Sequence, residues 1–531
     1  MSDFSQLRLI AAALLIALCA AAAPAKAESV LRVAMTAGDV PDWAGLPDQG
    51  SEGYRFVGYS LYEPLVNWDL SRSDIETPLI ADLATKWSID PSDHNRWIFE
   101  LRQGVAFTDG CPWNAAGAVW NINRLLDQKA PAYNAVQTVR ARSYTSNLDS
   151  VEKIDDYTIA LRTKQVESLL PYELTRVLMI SQCAMEKAGN NWSAFAKNPA
   201  GTGPYKFDRV VPHERLELVK NPDYWNKNRV PKHDRLVLIP MPEATTRAAA
   251  LLSGQVDFIE APSPDAVDKL KSAGMNVVTN VYPHTWDYLL NFQHGPFQDL
   301  RVRQAANFAI NRDDIVALLN GTAVAAYGIF MATSKYYGHP FEYSYDPDKA
   351  TQLLKEAKCY PCAITIAIST SGSGQMQPLP MNALVKSQLE AVGFKVTFDV
   401  MDWDALVNVA REGWQKHINY DGVNESLGST DPQTGFLKSF TTVTRAPAGQ
   451  NWGWYTNPEF DQLAAELMST FDPGKQVELA QKAHEMIVKD AARLFIVDDL
   501  NPRALSPRLK GFVQAQSWFQ DLTPIVVTDT K

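Results

Sequence analysis

DPDKATQLLKEAKCYPCAITIAIS, residues 346–369, reads as one helix followed by one strand. Asp346 is a helix N-cap and Pro347 occupies the first helical position, where its missing N–H costs nothing. Ala350, Leu353, Leu354 and Ala357 then recur at i, i+3, i+4 and i+7, the apolar stripe of a helix. Ala363 to Ile368 is a short β-prone run. The next stretch repeats the order: Gln375 to Val392 is helical in composition, Gly393 stops it, and Val396, Phe398 and Val400 alternate as in a strand.

The pattern extends outward. Pro242-Glu243-Ala244 opens a helix that Gly254 ends, and Val256 to Ile259 reads as a strand. Asp472-Pro473 caps another helix running to about Lys489. Short strands alternating with helices specify an α/β fold. There is no internal repeat, low-complexity segment or long linker.

The chain has 531 residues, enough for more than one domain. Its 46% hydrophobic content supports a large core and excludes a mainly disordered protein. The 60 acidic residues outnumber the 50 basic ones, and no basic run is present. That balance argues against nucleic acid and anionic membrane surfaces as partners. Leu9 to Ala23 is an unbroken apolar run, shorter than the roughly 20 residues of a spanning helix. Ala25-Lys26-Ala27 follows as a small-residue cleavage site, so residues 1–27 read as a secretory signal peptide. A periplasmic or extracellular protein is expected.

Beyond that segment lie Cys111, Cys183, Cys359 and Cys362. An even count in an oxidising compartment favours disulfides, with three possible connectivities. A local Cys359–Cys362 pair would leave Cys111 with Cys183. The CxxC also admits a thiol-disulfide enzyme. However, it follows a helix and precedes a strand, whereas a helix N-terminus is what lowers a thiol pKa. A structural clip is the better reading.

Catalytic motifs are absent. There is no G-x-S-x-G, HExxH or Gly-rich phosphate loop, and the eight histidines are scattered. No metal site, cofactor or enzymatic activity is expected. The remaining class is a binding protein.

Several stretches carry a resemblance. They are Leu61-Tyr-Glu-Pro-Leu65, Phe107-Thr-Asp-Gly110, Asn198-Pro-Ala-Gly-Thr-Gly-Pro-Tyr-Lys-Phe207, Asn221-Pro-Asp-Tyr-Trp225, Asn291 to Ala305 and Ala309-Ile-Asn-Arg-Asp313. In this order they resemble the family 5 solute-binding proteins of ABC importers, the dipeptide, oligopeptide and nickel-binding group. The resemblance implies a two-lobed periplasmic binding protein fold of type II-like topology, in the large variant with an extra subdomain. Lobe one would comprise 28–285 plus 497–531, with a subdomain inserted at about 72–194 that holds Cys111 and Cys183. Lobe two would comprise 286–496. The chain would cross between lobes near Trp286 to Phe292 and near Leu494 to Asp498.

The resemblance also implies site residues. A pocket tryptophan is matched by Trp403 and an arginine, loosely, by Arg411. The relatives' amine-binding Asp stands three residues before an acidic-Pro pair; counting back from Asp431 gives Gly428. Glu425 could replace that carboxylate in a shifted register. Trp286 lies at the expected crossing. Asp39 lies in the loop Thr36 to Pro41, where relatives place ligand contacts. The expected function is capture of a small polar solute, a short peptide or peptide-like molecule, and delivery to ABC permease subunits in the inner membrane by a monomer. A non-peptide solute such as an opine or oligosaccharide is the alternative.

Overall fold

The computed structural model describes residues 28–528 except 373, 429, 430 and 432, and omits the side chains of 433 and 434. The expected signal peptide lies outside the described residues. In chain order, β1 (Val30–Met35) is followed by a four-stranded antiparallel sheet. Its strands are β2 (Ala84–Asp90), β3 (Asp93–Leu101), β4 (Leu148–Asp155) and β5 (Thr158–Thr163). Between its strands lie helices α1 (Ala115–Leu126) and α2 (Ala135–Thr145); α3 (Leu170–Leu174) follows it. Then come β6 (Tyr205–Val211), β7 (Arg215–Lys220), β8 (Arg235–Pro240), β9 (Phe258–Glu260) and β10 (Asn276–Val278). With β1 and the late strand β17 (Arg503–Leu505) they form one sheet, in the order β10-β17-β9-β1-β8-β7-β6.

The second sheet contains β11 (His284–Leu290), β12 (Ala323–Ala325), β13 (Cys362–Ser369), β14 (Phe394–Met401), β15 (Gly422–Gly428) and β16 (Arg493–Asp499). Their order is β12-β16-β11-β15-β13-β14. Helices α4 (Pro347–Glu356), α5 (Pro378–Ala391), α6 (Trp403–Glu412), α7 (Lys438–Phe440), α8 (Pro458–Ser469) and α9 (Pro473–Lys489) intervene. One face of this sheet packs a core around Trp286, Ile366, Met381 and Leu389; the other packs Phe436, Phe440, Phe460 and Phe495. Each fully buried side chain of this kind contributes roughly 1.5–3 kcal/mol.

The local signals act as expected. Asp346 accepts from the Lys349 amide and Asp472 from the Lys475 amide, caps worth about 1 kcal/mol each. Helix α5 begins at Pro378, three residues later than its composition suggested. Gln375 is instead held in a loop, where it accepts from Trp286 Nε1 at 3.2 Å and donates to Ser426 Oγ at 3.2 Å.

The family-like stretches are a packing knot. The Gly201 carbonyl accepts from the Thr108 amide at 2.9 Å, and the Gly203 amide donates to the Leu61 carbonyl at 3.1 Å. Asn221 Nδ2 donates to the Gly203 carbonyl at 3.1 Å. Glu63 accepts from the Tyr224 hydroxyl and from Trp225 Nε1. Four separated motifs thus close on one point beside the first sheet.

The passages between the sheets run through residues 279–283 and 500–502. The expected crossings, Trp286 to Phe292 and Leu494 to Asp498, fall largely or wholly within β11 and β16 instead. Their residues are buried on both faces, which a strand at the sheet centre requires. Cys111–Cys183 and Cys359–Cys362 are both bonded.

Candidate functional site

In the first sheet β1 runs parallel to β8 and β9, so Met35, Pro240 and Glu260 end at one edge. In the second, β13 runs parallel to β14 and β15, so Ser369, Met401 and Gly428 end together. Antiparallel β11 places His284 opposite Gly428, and antiparallel β17 places Arg503 opposite Glu260. Both connecting passages therefore leave the carboxyl edge of one sheet and enter the carboxyl edge of the other. In open α/β sheets this is the edge where ligands bind.

On the second sheet the loop after β13 draws three candidates together. A side chain at Gly372 would collide with the Trp403 ring, and one at Gly374 with the His284 imidazole. Trp403 is half-buried at the start of α6, and Gly428 pairs with His284 at the end of β15. Trp286 belongs to this cluster through Gln375, but it is fully buried in the core rather than lining an opening. His284 stacks on Tyr282 at 5.3 Å and meets the tilted Trp518 ring of the other sheet's side at 4.5 Å, so the hinge is an aromatic joint. Burial, with Arg55 next, pushes the His284 pKa down to about 3, keeping it neutral at physiological pH.

The structure separates the other candidates. Glu425 points to the opposite sheet face from Asn424 and Ser426, where Arg493 Nη1 donates to it at 2.5 Å. It is buried there in an ion cluster with Arg493 and Asp287. Arg411 is exposed on the last turn of α6, eight residues and about 12 Å of helix beyond Trp403. Asp39 accepts from or pairs with His213 Nδ1 at 2.7 Å on an exposed rim of the first sheet.

Residues that sequence reasoning missed meet between the sheets. The Arg176 guanidinium lies against the rings of Phe519 at 4.7 Å, Tyr54 at 5.0 Å and Tyr144 at 5.5 Å. Among the described residues its hydrogen bonds are two long contacts of 3.4 Å to Ser51 Oγ. Among the described residues no carboxylate stands within 4 Å of it. Asp431, buried in the loop after β15, lies within electrostatic reach. No motif surrounds Arg176 in the sequence; only the fold brings it to the cleft. Edges lined by an aromatic-walled cation, a buried acid and Trp403 suit a polar solute carrying both charge and apolar surface.

Cys359–Cys362 lies at the other end of β13. Seven residue steps, about 23 Å of strand, separate Cys362 from the edge at Ser369. Changing both cysteines to serine should leave solute affinity within about twofold by calorimetry. A larger loss would tie the clip to binding.

No helix among the described residues is long and apolar enough to cross a membrane, and no group of His, Cys, Asp or Glu among them could hold a metal ion.

The chain is 29% identical over 471 residues to the glutathione-binding protein GsiB of Pectobacterium atrosepticum, covering 86% of each chain. It is 27% identical to heme-binding protein A of Haemophilus influenzae, over 87% of this chain and 86% of that one. The periplasmic binding protein DppA of Helicobacter pylori, solved with the peptide STSA, superposes with a TM-score of 0.80 at 24% identity, covering 94% of this chain and 99% of that one. Residues 78–446 match the family model described as bacterial extracellular solute-binding proteins, family 5 Middle. With that match spanning most of the chain, and the two-sheet fold, the protein belongs to the bacterial extracellular solute-binding proteins of family 5.

Proposed function

We propose that this solute-binding protein captures a short peptide or peptide-like molecule with an anionic group, held between the two carboxyl edges and delivered to ABC permease subunits. The observation that carries the reading is Arg176, a guanidinium walled by three aromatic rings and without a carboxylate partner within 4 Å among the described residues. A charge placed in such surroundings gains most from a counter-ion supplied by the ligand. The ligands named for relatives fit this chemistry: glutathione, heme and the peptide STSA all carry carboxylates. Trp403 supplies a flat apolar wall for a side chain or ring. Gly428 leaves the relatives' amine position without a carboxylate, and Asp431 lies within electrostatic reach of Arg176.

The protein performs no chemistry on the solute, acts as a monomer in the periplasm after removal of residues 1–27, and does not bind nucleic acid. Calorimetry with tri- and tetrapeptides, free and C-terminally amidated, tests the anionic anchor. The expected result is tighter binding of the free acids, with Arg176→Gln lowering their affinity about 10- to 100-fold and erasing the preference. Equal binding of acids and amides by both proteins would sink the reading.

A further inference from the structure

The hinge is not the only place where the two sheets' surroundings touch. On the far side, α3 and the segment before it meet α7 and the α8–α9 turn. The Ser168 amide donates to the Met468 carbonyl at 2.7 Å, and its hydroxyl donates to the Leu467 carbonyl at 3.0 Å. Gln476 Nε2 donates to the same hydroxyl at 3.1 Å. The Phe471 ring packs on His94 at 5.3 Å and on Trp97 at 5.8 Å. At the centre Lys438 on α7 pairs with Glu173 on α3, and its Nζ also donates to the Ser143 carbonyl at 2.5 Å.

The ion pair differs from the surface pairs elsewhere. The Glu173 side chain is 1% exposed and that of Lys438 16%. Glu167 and Asp431 also lie within electrostatic reach of Lys438, so a single cation faces several carboxylates from both sides. Separating the sheets would break this pair along with the Ser168 bonds, since α3 and α7 belong to different sides of the cleft. Glu173 also precedes Arg176 by three residues, and Lys438 follows Asp431 by seven. The contact is thus carried on the same two segments as the cleft charges.

We propose that Lys438 and Glu173 form an electrostatic latch that holds the two lobes closed even without solute. It rests on the reading of the inter-sheet cleft as a closing site. Its test requires no ligand, so it stands or fails separately from the anionic anchor.

The probe is amide hydrogen exchange at Ser168 in unliganded protein, alongside the radius of gyration from X-ray scattering. Wild type, Glu173→Gln, Lys438→Gln and the double variant are compared. The latch predicts about tenfold faster exchange at Ser168 and a larger radius in each single variant. It also predicts a double variant no more open than either single one, because both changes remove one shared interaction. Exchange at wild-type rates in both single variants, or effects that multiply in the double variant, would overturn the proposal. Exchange at β1 amides reports global unfolding; unchanged protection there separates opening from a folding defect.

Discussion

Replacing Arg493 by methionine should cost about 3–5 kcal/mol of stability at pH 8, measured by urea unfolding, because it strands two buried carboxylates. Arg493 lies on β16 at 1% exposure and binds Asp287 of β11 at 3.0 Å and Glu425 of β15 at 2.5 Å. Three adjacent strands thus share one cation, whose guanidinium also faces the Phe440 ring at 5.4 Å. Methionine keeps roughly the volume of the stem and removes the guanidinium, with its charge and its donors to both carboxylates.

The loss should shrink on acidification. Burial pushes the Asp287 pKa up to about 7, with Arg493 pulling it down and Glu425 pushing it up. Its unfolded value is about 3.9, so the folded protein binds the extra proton. Its contribution to stability is greatest below pH 4 and is lost as pH rises through 7. Without Arg493 the folded pKa rises further, and protonation neutralises the stranded charge. The deficit should therefore be smaller at pH 5 than at pH 8. Equal deficits at the two pH values would mean that packing, not charge, is what Arg493 provides.

Gly201→Val should be the most damaging change in the family-like stretches, at about 3 kcal/mol or more in the same assay. A Cβ there would run into the Leu61 carbonyl and the Tyr62 ring, both fixed by the knot of motifs around Glu63. Backbone cannot rotate away as a flexible side chain can. Gly38→Ala is the control: its Cβ would meet nothing within 4 Å, and the expected change is within about 0.5 kcal/mol. Comparable losses at both positions would show that glycine flexibility, not close approach, explains Gly201.

Much of the fold was legible because its signals are local. The Asp346 and Asp472 caps, the stripe of α4 and the alternation in β14 are readable within a few residues, and each forms in the structure. The order of motifs from Leu61 to Asp313 pointed to family 5 without any structure. The site was legible only in part. Trp403, which the resemblance implies, stands half-buried beside Gly372 near the carboxyl edge of the second sheet. Trp286, placed by its position near a crossing, is core, since the passages between sheets lie a few residues away.

The α/β class and the family are legible in caps, stripes and motifs a few residues long, because these depend only on neighbouring residues. Tertiary structure decided which charges are available. Glu425 looked free until strand pairing set it beside Arg493, 68 positions away. Arg176 looked ordinary until folding walled it with Tyr54, Tyr144 and Phe519. Charge pairing depends on distance in space and on burial, and neither is written in the spacing of residues along the chain.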